Sequence, residues 1–167
     1  MAFFRIKNIK GKGYAYLVEN EWKRKGSRQS VKGYLGRAYR FDLTDEADFF
    51  QYKKIDNLEN YINENNAKTI IRDLIHWELH KFGIETGIFL VDLESYKVKK
   101  NKREVVFAIN EGFMCGPTLR NLLEFKPTDD EQADGFRLAR AFVEAGIKIP
   151  QEIFIGLFGK FYIKQER

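Results

Sequence analysis

The chain of 167 residues is 44% hydrophobic and 32% charged, the balance of an ordinary folded domain; this excludes a disordered tract or a fibre and leaves no room for two large domains. The single cysteine, Cys115, excludes an internal disulfide, no apolar run approaches the roughly 20 residues that span a bilayer, and the start Met-Ala-Phe-Phe-Arg-Ile-Lys lacks a secretory signal, so a cytoplasmic protein with no membrane segment is expected. The net charge of +5 is unevenly placed: residues 1–40 hold eleven Lys and Arg against two Glu, a net +9, whereas residues 41–80 hold nine acidic against four basic side chains, a net −5.

In chain order, Phe3 to Ile9 reads as a strand, Gly11-Lys12-Gly13 as a tight turn, and Tyr14 to Trp22 as a second strand with alternating side chains. Lys23-Arg24-Lys25-Gly26-Ser27 is a charged loop, after which Arg28 to Leu35 resumes an extended pattern that Gly33 and Gly36 can bend. A three-stranded antiparallel meander is therefore expected, a basic β-module over residues 1–41 that forms one unit with an α+β body over 42–167. Thr44 with Asp45 and Glu46 suggests the start of a short helix through Tyr52, and residues 57–65 suggest another turn or two. The clearest helix runs from Ala67 to Phe82, where Ile70, Ile71, Leu74, Ile75, Leu79 and Phe82 keep one apolar stripe and Gly83 supplies the stop.

A second β segment follows, with Gly87 to Leu93 as a buried apolar strand, Tyr96 to Lys100 as an exposed one and Glu104 to Asn110 as a third; Lys99 to Arg103 makes the connecting turn basic. Pro117 suits the first turn of a helix over Thr118 to Phe125, Thr128-Asp-Asp-Glu131 has the spacing of a capping box for a helix reaching Gly146, and Pro150 opens the last helix. With no internal repeat, the fold class is α+β: N-terminal meander, central helix, second β segment, C-terminal helices.

The meander carries the main functional signal. Alternation puts Tyr14, Tyr16, Val18 and Trp22 on one strand face, among Lys23, Arg24, Lys25, Arg28, Lys32, Arg37 and Arg40. Cations neutralise phosphates and exposed rings stack on bases, which together is what binding of unpaired nucleic acid requires. Because Val18 shares the face, the competing reading makes the rings core and the cations a solvated rim. The nucleic-acid reading is preferred, with RNA ahead of DNA because rings on a sheet suit unpaired bases.

Tyr14-Ala-Tyr-Leu-Val-Glu-Asn20 followed by Ser27-Arg-Gln-Ser-Val-Lys-Gly-Tyr-Leu-Gly36 resembles the N-terminal β segment of insertion-sequence transposases of the DDE type, where a Tyr-x-Tyr-Val strand precedes an Arg-Gln-x-Val-x-x-x-Leu-Gly strand. The resemblance covers residues 14–36 and no more of the chain. It implies a module compatible with proteins that act on nucleic acid and transfers no catalytic residue.

Other constellations point to different chemistry. Asp92 and Glu94 end a strand in an order similar to a ribonuclease-H-like core, so a small metal-dependent nuclease is the enzymatic alternative; the polar end of a hairpin explains them as well. His76 and His80 at i and i+4, with Asp73 on the same helix face, have the spacing of a metal site but no evident further ligand, and the Glu that follows the first His in metalloproteases is missing. Cys115 precedes Gly116-Pro117 at a helix start, where the helix dipole can activate a thiol, although a buried cysteine beside Phe113 and Met114 is the commoner arrangement. Phe154, Leu157, Phe158 and Phe161 share one face of the last helix, which completes the core or meets a protein partner or a second copy. No cofactor motif is present, and the third alternative is a structural or interaction subunit whose basic module docks an acidic surface.

Overall fold

The computed structural model describes residues 2–84 and 87–163. Strands β1 (Ala2–Ile9), β2 (Lys12–Lys23) and β3 (Gly26–Arg40) form the antiparallel meander. The Lys10-Gly11 turn between β1 and β2 has φ of 50° and 76°, the double left-handed conformation whose twist suits a two-residue hairpin. Helices α1 (Phe49–Lys53), α2 (Leu58–Glu64) and α3 (Ala67–Lys81) follow, then β4 (Phe89–Asp92), β5 (Lys97–Lys100), β6 (Arg103–Ile109) and β7 (Gly112–Met114), and finally α4 (Gly116–Leu123), α5 (Glu131–Glu144) and α6 (Gln151–Ile163). The architecture is α+β.

One seven-stranded sheet links the two β segments in the order β1-β2-β3-β6-β5-β4, with β7 also paired to β6. The join is parallel: Arg37, Ala38, Tyr39 and Arg40 of β3 lie beside Val105, Val106, Phe107 and Ala108 of β6. Alternation in β6 divides its residues between two cores. Val105, Phe107 and Ile109 enter the large core with Ile70, Leu74 and Ile75 of α3, Leu119 and Leu122 of α4, Leu138 and Phe142 of α5, and Ile153 and Leu157 of α6. Val106 points the other way, into a small cluster with Ala15 and Cys115 that Phe4, Ile6, Leu35, Ala38 and Phe113 cover. The sheet thus has a core face, which meets the helices, and a back face.

Several local expectations are corrected. No helix begins at Thr44: the Thr44 and Asp45 amides donate to the Lys81 carbonyl at the end of α3 (2.8 and 3.1 Å), and α1 starts at Phe49 under the Asp48 carboxylate, which accepts from Gln51 N. Asp130 caps α5, not Thr128, whose amide and hydroxyl both donate to the buried Asp134 carboxylate. The strand expected over Gly87 to Leu93 shrinks to β4 at the end of the sheet, with Leu90 57% exposed, whereas Val98 of the supposedly exposed β5 is buried. In α3 the Asn66 cap and the Gly83 stop (φ 64°) are as the residue types dictate. No helix among the described residues is long and apolar enough to cross a membrane.

Candidate nucleic-acid interface

Register decides which side chains of the meander share a face. Lys7 lies beside Tyr14, Tyr14 beside Arg37, and Arg37 beside Val105, so this row belongs to the core face; Arg5, Tyr16 and Tyr34 form the next row. The helices cover Val105 at the β6 end of the first row, but the large core they build does not include Tyr14, Tyr16 or Tyr34. Tyr34 is 57% exposed, Val31 65% and Trp22 84%, while Tyr14 and Tyr16 are half-buried with their ring centroids 6.5 and 5.2 Å from that of Tyr34. Only Val18 on this part of the face is buried. The three tyrosines therefore form an open aromatic cluster.

Two bulges in β3 sort the charges. Leu35 and Lys32 are extra residues between the paired positions, and each turns to the back face: Leu35 packs in the small core, and the Lys32 ammonium sits 3.5 Å from Glu19 and 3.3 Å from Glu21. Glu21 also lies 3.9 Å from Lys23. The hydrogen bond and charge of Lys32 hold the Glu21 carboxyl below its ordinary range, and the two glutamates push the Lys32 ammonium up. Glu19 and Glu21 are the only acids of the meander, and both lie on the back face, one residue out of phase with Tyr14, Tyr16 and Trp22. Its core face therefore holds no carboxylate.

At Gly36 the fold leaves no alternative to glycine. Its φ is 118°, and a Cβ there would stand 2.3 Å from the Glu104 carbonyl oxygen of β6. That close approach brings the β5–β6 hairpin against the tyrosines and forms a groove of about 1040 Å³. Lys12 and Arg37 come from the meander, Lys100, Lys102 and Arg103 from the hairpin, and Tyr14, Tyr34 and Tyr39 supply the rings. Glu104 also lines it, but its side chain, next to Val105 in β6, alternates to the back face. The Arg37 guanidinium stands 4.7 Å from the Tyr39 ring centroid and the Lys100 ammonium 4.8 Å. Arg37 Nε is buried and meets no acceptor among the described residues.

No protein-family model, curated protein or solved structure matches the chain.

Of the residues singled out in the sequence, Tyr14, Tyr16, Trp22 and Arg37 share the core face, Arg24 and Lys25 form the exposed turn at the ribbon tip, and Lys23, Arg28, Lys32 and Arg40 belong to the back face. Lys12, Tyr34, Tyr39, Lys100, Lys102 and Arg103 complete the groove and were not singled out. The basic run 99–103 was visible, but nothing local showed that it packs beside β3.

The other candidates, His76 apart, are buried or engaged with neighbouring groups. Asp92 accepts from Glu94 N (3.0 Å), Ser95 N (3.2 Å) and Ser95 Oγ (2.7 Å), bonds that hold its carboxyl below the ordinary range, and Glu94 pairs with Arg72. Asp92 thus closes an Asx turn, and the Glu94 carboxylate is taken by an ion pair. Asp73 bonds Lys53 Nζ (3.1 Å) and the Tyr61 hydroxyl (2.7 Å), His80 Nε2 lies 3.1 Å from Asp45 Oδ2, and His76 is exposed. Among the described residues no three His, Cys, Asp or Glu are placed to hold a metal ion. Cys115 is 2% exposed, and burial pushes its thiol up, opposite to the shift a nucleophile needs.

Proposed function

We propose that the protein binds nucleic acid without catalysis, taking unpaired RNA in preference to DNA on the core face of its meander. The observation that carries the proposal is the segregation of charge: every carboxylate of the meander is on the back face, while the core face joins three clustered tyrosines to a groove with five cations. Nothing in globular packing requires a long strand face to be free of acids, and a polyanion does. Rings that are half-exposed rather than packed under helices offer π-faces to bases, a contact worth about 1–3 kcal/mol per base.

The test is fluorescence anisotropy with a short mixed-sequence single-stranded RNA over a salt series. Each neutralised phosphate contributes about −0.7 to the slope of log K on log salt. Replacing Lys12, Lys102 and Arg103 together by Ser should therefore flatten the slope by about 2. The same change at the ribbon tip, Arg24 and Lys25, should do less, because those side chains stand away from the tyrosines. Binding that ignores salt, or a groove variant with the parental slope, would remove the reading.

A further inference from the structure

The groove is the closed end of a lane. From Trp22 to Tyr14 the acid-free face runs eight residues along β2, about 27 Å at ~3.4 Å per residue. At the Trp22 end the ribbon projects beyond β1, whose last pair is Ala2 with Glu19, and the lane is open. At the other end its β3 side runs into the large core, while its β2 side ends at exposed Lys12: past Arg37, the rings of Tyr39 and Phe41 pack edge-on against Phe89, and Phe41 and Phe89 against Phe107. A strand lying in the lane can continue past the tip but not past Tyr39.

The cations gather at the blocked end. Arg37 and Lys100 both stand over the Tyr39 ring, Lys12 lies on the same face two residues before Tyr14, and Arg103 lies beside Lys100 in the hairpin. The buried Arg37 Nε–H without an acceptor is a donor already removed from water, and leaving such a group unpaired is costly unless an anion meets it. An internal phosphodiester carries one negative charge, whereas a terminal phosphomonoester approaches two near neutral pH and offers three acceptor oxygens. A blocked lane, a cluster of cations at its end and an unpaired donor suit the second better than the first.

We infer that the protein recognises the terminal phosphomonoester of a single strand, seated between Arg37 and Lys100 against Tyr39, with the adjoining bases on Tyr14, Tyr34 and Tyr16. The inference rests on the nucleic-acid reading and adds the kind of end that is bound.

One RNA sequence prepared in four forms tests it: 5′-phosphate, 3′-phosphate, hydroxyl at both ends, and circular. One of the phosphorylated forms should bind about tenfold or more tightly than the hydroxyl form, as an additional charge-assisted bond gives, and the circle should bind no better than the hydroxyl form. Which of the two wins reports the polarity of the strand in the lane. In Lys100→Gln, and separately in Arg37→Gln, the ratio between phosphorylated and hydroxyl forms should collapse towards one, a comparison internal to each variant. All four forms binding alike would overturn end recognition and leave the nucleic-acid reading standing. Binding by none of them would overturn both.

Discussion

Glu78 is the group on which the packing of α3 against the C-terminal half is most exposed to test. Its side chain is completely buried, and its two oxygens meet three donors: Oε1 accepts from Lys148 N (2.9 Å), and Oε2 from Asn110 Nδ2 (3.1 Å) and Lys81 Nζ (3.1 Å). Lys81 is itself 8% exposed, its ammonium 3.8 Å from the Trp77 ring centroid. Glu78→Gln keeps the shape, removes the charge and turns an amide donor towards donors. Breaking a buried pair in this way costs about 3–5 kcal/mol, against a total stability of roughly 5–15. The Trp77 ring still faces the stranded ammonium and offsets up to ~2 kcal/mol, so a net loss of about 1–3 is expected. Urea unfolding followed by circular dichroism reads this as a lower midpoint at constant slope. Adding Lys81→Met should recover a large part of the loss, because the uncompensated charge goes with it. A Glu78→Gln protein within about 1 kcal/mol of the parent, or a double variant weaker than the single one, would refute the claim that the ion pair is the source of the cost.

Gly36→Ala should lower stability by about 2 kcal/mol or more, since both the positive φ and the contact with the Glu104 carbonyl forbid a side chain, and RNA binding should fall with it as β3 parts from β6. Gly33→Ala, which meets no atom within 4 Å, is the control; equal melting temperatures for the two variants would contradict the packing at Gly36. Asp134 sets an acid limb. Burial raises its carboxyl pKa, but the Tyr162 hydroxyl (2.6 Å), Thr128 and Arg137 outweigh burial and hold it below the ordinary range. Its contribution is therefore present above the unfolded value of about 3.9 and is lost as pH falls through the lower folded one. Tyr162 is pushed up to about 12 by burial and by Asp134, so its contribution is complete below about pH 10 and is lost as pH rises through 12. Thermal melts across pH should show both limbs, and Asp134→Asn should flatten the acid one; an unchanged acid limb would sink the assignment.

Much of the fold is legible because its signals are local. The stripe from Ile70 to Phe82 closes with a Gly at φ 64°, and Pro117 sits in the first turn of α4. Local signals mislead where a side chain serves a distant partner. Thr128 has the spacing of a cap but gives its hydrogen bonds to Asp134, and the Thr44 amide is taken by Lys81, thirty-seven residues away. The parallel β3–β6 pairing is invisible for the same reason: it joins Arg37 to Val105 with five elements between them, and a register of that range leaves no trace in either strand's own pattern.

Half of the candidate interface depends on that pairing. Alternation alone puts Tyr14, Tyr16 and Trp22 on one face, yet it cannot say whether helices cover it, and Val18 on the same face argues for the core. Coverage is decided by reach. The core face is continuous from Phe107 through Tyr39 to Tyr14, but the helices pack only over its β6 end, and the β2–β3 ribbon continues past both them and β1. Side-chain chemistry changes where coverage stops: Val105, Phe107 and Phe41 lie under the helices, Tyr39 with its two cations at the boundary, and Tyr34, Tyr16 and Trp22 beyond it. A face that merely ran out of core would pass into ordinary mixed polar residues. This one passes into rings and cations while its carboxylates stay behind the sheet, and the change falls at the position where the β5–β6 hairpin brings three further cations alongside.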